Sequence, residues 1–164
     1  MKKLISIFTL FLFVIISFYS QNVSAQSSRL DIEEIVVTGT KRDIGQQDAA
    51  IAVSAITEQA FKNTFANEVT NLGSLVPNLT LTTQPGFNAV AGGIRGTGSI
   101  SILVTEDPSV AFLVDDFGLN HVQSQFVEMF DIEQIEVYRG PQGTLFGKNS
   151  TGGVISVTTK KPVL

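Results

Sequence analysis

The pattern of apolar and polar residues divides the chain into an apolar start, a polar stretch and a mixed body. Residues Leu4 to Phe18 are almost purely apolar, whereas residues 26–50 are mostly polar apart from the short run Ile35–Val37. From Ile51 onward, short apolar runs alternate with turn residues, which is typical of short elements joined by tight connections. The pattern therefore predicts one folded body that follows a polar segment.

Short runs rich in Val, Ile and Thr predict five strands in this body. They lie at Ile51–Ile56, Leu79–Thr82, Ser109–Asp115, Ile135–Tyr138 and Val154–Thr159. The third run is apolar at nearly every position, which indicates a central strand that is covered on both faces. Between the last two runs the chain is dense in glycine, which suits a compact loop packed against a small sheet.

Apolar residues at helical spacing predict three short helices between these strands. The residues that would share a face are Phe61 and Phe65 in the first helix, Val69, Leu72 and Val76 in the second, and Val122, Phe126, Met129 and Phe130 in the third. Thr57 and Asn67 are placed to cap the first two helices, and Pro77 ends the second. Short strands mixed with short helices, without an internal repeat, predict a small α+β domain with a short mixed sheet.

Turn residues indicate two further connections. Pro85–Gly86 begins a loop that we expect to run to Gly93, and Asp115–Asp116 followed by Gly118 indicates a tight turn. Aspartate tolerates left-handed backbone angles better than most residues do, so the second turn does not need a glycine at its centre.

The apolar start of the chain has the layout of a secretory signal peptide. Lys2 and Lys3 precede the apolar run Leu4 to Phe18, and Val23-Ser24-Ala25 offers the small residues that a signal peptidase requires. The run is shorter than the roughly 20 residues that cross a bilayer. We therefore expect residues 1–25 to be a cleaved signal peptide, with an uncleaved N-terminal anchor as the alternative.

Charge and cysteine content exclude several classes of function. The formal net charge is −4, and loss of Lys2 and Lys3 with the signal peptide lowers it to −6 because no acid is lost. An acidic exported chain lacks the concentrated basic face that nucleic-acid binding requires, so no nucleic-acid partner is expected. The chain has no cysteine, which excludes disulfides, thiolate chemistry and cysteine metal sites.

No glycine motif in the chain indicates a nucleotide or cofactor site. The segment Gly143–Ser150 differs from a phosphate-binding loop, because Gln142 stands where that loop needs glycine and Asn149 where it needs a hydroxyl. The glycines of Gly93–Gly98 lack the spacing of a dinucleotide-binding fingerprint, and no alternating βα units surround them. We therefore expect no bound cofactor.

The titratable side chains do not indicate an enzyme or a metal site either. A zinc site at His121, the only histidine, would need carboxylates, so a solvated loop position is favoured for it. The candidate carboxylates would be Asp115, Asp116 and Glu128. Three further acids lie at Asp131, Glu133 and Glu136. A solvent-exposed face of a strand and turn, a wet face, accounts for these three more simply than a catalytic acid pair does. We therefore expect no catalytic residue.

The isolated apolar run Ile35–Val37 allows two interpretations. Acids precede it, bases follow it, and it cannot bury much surface alone. A partner's sheet edge can accept such a run as an added strand, in which case residues 26–50 would stay mobile until that partner binds. The run can equally form an edge strand of the protein's own sheet, and the pattern alone does not decide between the two.

The closing stretch, residues 139–162, reads RGPQGTLFGKNSTGGVISVTTKKP and resembles the end of the plug domain of TonB-dependent outer-membrane receptors. Three earlier blocks resemble the plug in the same order, namely VPNL at Val76–Leu79, GIRGTG at Gly93–Gly98 and DPSVAFLVDD at Asp107–Asp116. Asp116-Phe117 departs from the Asp-Gly that many members have at this turn. The resemblance implies a plug domain over residues 51–162, with its signature at Gly96, Gly140, Pro141, Gly143, Gly147, Gly152 and Gly153.

The same resemblance implies roles for residues outside the glycine signature. EEIVVTGTKR is similar to the TonB box, the strand with which the C-terminal domain of TonB pairs. Its residues would be Ile35, Val36, Val37, Thr38 and Gly39, within a flexible segment at residues 26–50. The resemblance also implies that Arg95 and Arg139 lock the plug to glutamates on the inner wall of a 22-stranded barrel, for which arginine's bidentate fork is suited.

The function implied by the resemblance is the gating of energised uptake across the outer membrane. The ligand would be a small molecule or a metal chelate, such as an iron–siderophore complex, cobalamin or a glycan. No stretch of the chain offers the alternating segments of about 10 residues that a barrel needs, so we expect the barrel to be absent from this chain. The chain would then be part of a larger receptor or, alternatively, a stand-alone periplasmic protein-binding module without a channel.

Overall fold

The computed structural model describes residues 35–38, 44–64, 68–84, 86–99, 101, 103, 105–126 and 128–162. The expected signal peptide lies outside these ranges, as do Phe65 and the expected helix cap Asn67. Within the ranges, the strands are β1 (Val36–Val37), β2 (Ile44–Gly45), β3 (Val53–Thr57), β4 (Leu79–Gln84), β5 (Ala89–Ile94), β6 (Thr97–Ser99), β7 (Val110–Val114), β8 (Phe117–Gly118), β9 (Ile132–Arg139) and β10 (Gly153–Thr159).

The helices of the described ranges are all short. They are α1 (Glu58–Asn63), α2 (Leu72–Leu75), which a 3₁₀ turn at Val69–Asn71 precedes, and α3 (Gly143–Phe146). Thr57 caps α1 as predicted, since its hydroxyl oxygen accepts a hydrogen bond from the backbone N–H of Ala60 at 3.4 Å. None of these helices has the length and apolar composition of a membrane-spanning segment.

A five-stranded mixed sheet, in the order β3-β9-β10-β7-β8, forms the centre of the domain. Strand β10 is antiparallel to β9 on one side and parallel to β7 on the other. Val154, Ile155 and Val157 of β10 are all buried, because Val and Ile suit a strand that is covered on both faces. Four of the five predicted strands are thus confirmed in this sheet, as β3, β7, β9 and β10, and the fifth, at Leu79–Thr82, is confirmed as β4. The α+β fold class is confirmed with them.

The main core lies on one face of this sheet, against the three-stranded antiparallel sheet β4-β5-β6 and the helices α1 and α2. The five-stranded sheet contributes Ile135, Val137 and Ile155 to this core. The predicted stripe Val69, Leu72 and Val76 is confirmed, because all three side chains are buried in the same cluster. Val69 belongs to the 3₁₀ turn rather than to the helix, so the stripe runs across two elements.

A smaller core lies on the opposite face, where the alternate residues of the same strands point. It is formed by Val37, Val53, Leu113, Tyr138 and Val154. In the sheet register Tyr138 pairs with Val53 on one side and Val154 on the other, and Glu136 pairs with Ala55 and Ser156 in the next row. Val37 comes from β1, which forms a separate two-stranded sheet with β2.

Two hairpins turn through consecutive residues with positive φ. Arg95 (φ 55°) and Gly96 (φ 77°) join β5 to β6, and Asp115 (φ 49°) and Asp116 (φ 66°) join β7 to β8. Turns with two positive φ angles match the right-handed twist of the strands that they join. The predicted turn at Asp115–Asp116 is therefore confirmed, and it forms with Phe117 in place of the family's glycine.

The loop predicted from residues 85–86 to Gly93 is wrong over its second half, where the chain forms β5. Gly92 and Gly93 suggested a loop, yet both lie inside the sheet. A Cβ on Gly92 would lie 2.1 Å from the carbonyl oxygen of Thr80, and one on Gly93 would lie 2.6 Å from that of Thr97. These glycines let neighbouring strands approach closely, which is a use of glycine that sequence periodicity does not reveal.

The helix predicted around Val122 and Phe130 is also wrong, because the described residues of this segment form a turn at 122–125 and no helix. Val122 is buried, whereas Phe130 is 85% exposed, so the apolar residues do not share a covered face. The hydroxyl of Ser124 donates to the carbonyl oxygen of His121 at 2.6 Å, and Gln125 Nε2 donates to that of Leu119 at 3.0 Å. Such side-chain bonds to the backbone compete with helical hydrogen bonds.

Candidate functional site

The apolar run of the candidate TonB box is a paired strand in this structure. β1 pairs antiparallel with β2, and the backbone N–H of Gln46 donates to the carbonyl oxygen of Ile35 at 2.9 Å. Of the two interpretations that the pattern left open, this structure shows a strand paired within the protein's own chain, although β1 and β2 form a sheet separate from the five-stranded one. Gly39, the last residue of the candidate box, lies outside the described residues.

Successive side chains of β1 have opposite environments. Val37 has no exposed surface and packs in the smaller core, whereas Val36 is 40% exposed. Burying a valine completely stabilises its position by roughly 1.5–3 kcal/mol relative to leaving it exposed. A strand of two residues is therefore anchored mainly by one side chain, together with the polar contacts that flank it.

Those polar contacts converge on the carboxylate of Glu136, which is 1% exposed. Its Oε1 accepts hydrogen bonds from Thr38 N at 2.7 Å, from Thr38 Oγ1 at 3.3 Å and from Gln134 Nε2 at 2.9 Å. Its Oε2 accepts one from the hydroxyl of Tyr138 at 2.6 Å. The same Gln134 Nε2 donates to the carbonyl oxygen of Val36 at 2.8 Å. Two side chains of β9 therefore hold the backbone of β1.

The expectation that Asp131, Glu133 and Glu136 line a wet face is wrong for Glu136 alone. Asp131 and Glu133 are exposed, but Glu136 lies on the sheet face that β1 covers. A buried carboxylate needs hydrogen-bond donors, and here the described donors come from three residues. The sequence offered one signal, which is that Gln134, Glu136 and Tyr138 alternate with apolar residues along β9.

The loop between β9 and β10 is closed by hydrogen bonds between its two arms. Gly140 N donates to the carbonyl oxygen of Gly152 at 3.0 Å, and Gln142 N donates to that of Ser150 at 2.9 Å. The hydroxyl of Ser150 donates to the carbonyl oxygen of Gly147 at 2.6 Å, just where α3 ends. The glycine-rich stretch predicted as a compact loop is thus confirmed as one.

Two glycines of this loop occupy places where no side chain fits. A Cβ on Gly153 would lie 2.3 Å from the carbonyl oxygen of Tyr138, and one on Gly152 would lie 2.8 Å from that of Thr97. By contrast, a Cβ on Gly143 would meet no atom within 4 Å. The signature glycines therefore differ in role, since some permit close packing and others lie in open space.

One arginine of the candidate lock, Arg95, reaches the backbone next to the other, Arg139. Gly140 directly follows Arg139, and Arg95 Nη1 lies 3.4 Å from the position that a Cβ on Gly140 would occupy. Within the described ranges neither arginine has a carboxylate at ion-pair distance. Arg139 Nε is buried without a hydrogen-bond partner in the same part of the chain. The head group of Arg95 therefore lies beside the backbone that directly follows Arg139.

The remaining candidate ligands do not converge on a metal. His121 is half-buried in the turn after β8 rather than fully solvated, and its Nδ1 accepts a hydrogen bond from Gln123 N at 3.3 Å. The Asp115 carboxylate is engaged with Thr159, accepting from its backbone N–H at 2.8 Å and its hydroxyl at 2.7 Å. Across the described ranges no three His, Asp or Glu side chains lie close enough together to hold a metal ion.

Comparison with known proteins gives the same assignment for the fold. A family model described as the TonB-dependent receptor plug domain matches residues 45–154. The chain is 28% identical over 148 residues to the pesticin receptor of Yersinia pestis, covering 85% of this chain and 20% of that protein. It is 31% identical over 147 residues to the iron-regulated outer membrane virulence protein of Vibrio cholerae serotype O1, covering 87% of this chain and 22% of that protein.

A solved structure agrees with these relatives. The siderophore receptor PiuA from Acinetobacter baumannii superposes with a TM-score of 0.61 at 25% identity, over 82% of this chain and 18% of that one. The chain spans about a fifth of the length of the curated relatives that it matches. Because the family model matches residues 45–154, which are well over half of the chain, this chain belongs to the TonB-dependent receptor plug domain family.

Proposed function

We propose that this chain is the plug of an outer-membrane receptor, and that it gates the energised uptake of a ligand. The observation that carries the proposal is a plug-family body with a short strand, β1, docked against it by one buried valine and two polar side chains. A strand held by so few contacts can be withdrawn without unfolding the sheet beneath it. The C-terminal domain of TonB is the proposed partner that takes Ile35–Gly39 as an added strand.

We propose an iron chelate as the ligand. Support comes from the relatives, of which one is named as iron-regulated and another as a siderophore receptor. The matched relatives are named as receptors and as an outer-membrane protein, which favours an outer-membrane receptor over a channel-free periplasmic module. None of these relatives is named as an enzyme, which supports a function without catalysis.

We propose that Arg95 and Arg139 face a barrel that surrounds the plug. The buried, unpartnered Nε of Arg139 supports this role, because a desolvated guanidinium nitrogen lacks a partner within the described chain. Carboxylates on an enclosing wall would supply the acceptors. The lock would then hold the plug at the end of the sheet where the β9–β10 loop begins.

Removal of Ile35–Gly39 tests the coupling role. In the intact receptor this deletion should abolish energised uptake of an iron chelate while equilibrium binding of the chelate persists. Deletion of residues 26–30, of equal length, serves as the matched control and should leave uptake unchanged. Uptake that survives loss of Ile35–Gly39 would refute the coupling role.

A further inference from the structure

The two edges of β1 have different partners. Gln46 N donates to the carbonyl oxygen of Ile35, so the backbone groups of Ile35 face β2. Backbone groups of successive residues in a strand point to opposite edges. The carbonyl oxygen of Val36 and the N–H of Thr38 therefore face the edge that β2 leaves open.

Side chains, rather than a strand, occupy that open edge. Gln134 Nε2 donates to the Val36 carbonyl oxygen at 2.8 Å, and Glu136 Oε1 accepts from Thr38 N at 2.7 Å. A neighbouring parallel strand would offer one residue whose N–H and C=O bond these same two atoms. The amide donor and the carboxylate acceptor, which are themselves joined at 2.9 Å, reproduce that pair of bonds.

We propose that Gln134 and Glu136 act as a side-chain substitute for a β-strand, which holds β1 until a partner strand takes its open edge. This inference rests on the proposed function, in which the partner is the C-terminal domain of TonB. A strand added at this edge must form its backbone bonds with Val36 O and Thr38 N, so it must first displace both side chains. Gln134 and Glu136 are thus positioning residues that set how readily the strand is released.

The hydrogen bonds of Gln134 and Glu136 oppose spontaneous release of β1 more than they oppose its capture by a partner strand. Bonds to a carboxylate are stronger than bonds between neutral groups, so thermal release of Thr38 is disfavoured. A partner strand can replace each lost bond with a backbone bond of its own. The freed side chains stay paired with each other and with Tyr138, so displacement does not leave the Glu136 carboxylate without donors.

Thiol labelling can test, without TonB, whether Gln134 and Glu136 hold β1 in place. The chain has no cysteine, so Val37→Cys gives it a single thiol. The thiol replaces a β1 side chain that is fully buried against the body of the domain. Gln134→Glu in the same protein replaces the donor with an acceptor and sets a like charge against Glu136. In the intact receptor we expect maleimide to label Cys at position 37 about tenfold faster with Gln134→Glu than without it, which is roughly the effect of losing the hydrogen bond from Gln134 to the Val36 carbonyl oxygen.

Two controls separate local release from general loosening. Gln123→Glu adds the same charge at an exposed turn position and should leave labelling unchanged. Val157→Cys reports on the main core across the sheet, where the side chain is 2% exposed, and its labelling should stay slow in every variant. Equal acceleration at positions 37 and 157 would overturn the inference, as would unchanged labelling at position 37 in both Gln134→Glu and a second variant, Glu136→Gln.

Binding of the TonB C-terminal domain distinguishes this inference from the function on which it rests. Without the thiols, Gln134→Glu should lower the dissociation constant about tenfold, because less of the protein holds β1 in the docked state. Faster labelling with an unchanged dissociation constant would show that Gln134 and Glu136 hold β1, and it would contradict the inference that their release controls partner binding. Absence of any TonB binding, in the parent and the variant alike, would instead refute the proposed function.

Discussion

Thr38 and Glu136 are 98 residues apart in the sequence, and the backbone N–H of Thr38 donates to Glu136 Oε1 at 2.7 Å. This contact joins the segment before the folded body to the strand at its centre. It also supplies a hydrogen-bond donor to a glutamate that is buried in β9 between the apolar residues Ile135 and Val137. The Glu136 carboxylate therefore stabilises the docked position of β1 and, in our proposal, also takes part in the coupling to TonB.

Gly153→Ala should destabilise the domain, whereas Gly143→Ala should not. The new Cβ at position 153 would lie 2.3 Å from the Tyr138 carbonyl oxygen, but at position 143 it would meet nothing within 4 Å. We expect a loss of about 1–3 kcal/mol for Gly153→Ala, which is the usual range for overpacking. Urea unfolding of the two variants measures it, and equal unfolding midpoints would contradict the close approach described here.

Val37→Ala should loosen β1, whereas Val36→Ala, its neighbour on the exposed side, should have little effect. Removing two methyl groups from a fully buried side chain costs about 1–2 kcal/mol. The expected result is roughly tenfold faster hydrogen exchange at the amide of Thr38 in Val37→Ala. Similar exchange rates in both variants would show that Val37 does not anchor the strand.

Acid should weaken the contact between the start of α1 and the end of β10. Lys160 and Lys62 each place Nζ 2.5 Å from Glu58 Oε1, and the hydrogen bond from Lys160, followed by that from Lys62, lowers the pKa of Glu58 below its ordinary value. A lowered carboxyl pKa stabilises the fold at pH values above the pKa of the unfolded chain, about 4.3. That contribution is lost as the pH falls through the lower pKa of the folded state.

The measurement for this acid effect is the midpoint of urea unfolding between pH 7 and pH 2. The parent should lose more stability over this range than Glu58→Gln, which has no carboxyl to protonate. Lys160, whose pKa the same hydrogen bond raises, stays charged throughout the range. Parallel pH profiles for the parent and Glu58→Gln would contradict the assignment.

Arg139→Gln should lower the stability of the domain substantially only when the plug lies inside the proposed barrel. In the isolated chain Arg139 has no acidic partner among the described residues, so we expect a change within about 0.5 kcal/mol. Loss of one partner of a buried pair in the receptor should cost roughly 3–5 kcal/mol. Thermal unfolding in both contexts measures the difference, with the exposed Lys161→Gln as control. Equal losses in the two contexts would argue against the lock.

The strands and tight turns of the body could be predicted from local chemistry. Runs of Val and Ile mark β7, β9 and β10, and Asp115–Asp116 marks its turn because aspartate tolerates positive φ. The errors arose where a residue's role depends on a distant neighbour. Gly92 and Gly93 suggested a loop until the strands packed beside them were known.

The candidate site was predictable only in part, for the same reason. The run Ile35–Val37 stands out as an apolar island, but nothing near it in the sequence shows that Val37 joins the same buried cluster as Tyr138. Glu136 was assigned to a wet face because the donor Thr38 belongs to another segment of the chain. Gln134 was missed altogether, since a glutamine on a strand has no local signal of a partner.

The affinity of the TonB C-terminal domain for the intact receptor, with and without Ile35–Gly39, tests the central claim most directly. We expect measurable binding to the parent and to a variant that lacks residues 26–30, and loss of binding when Ile35–Gly39 is deleted. Equal dissociation constants for all three proteins would contradict the claim that this strand is where TonB attaches.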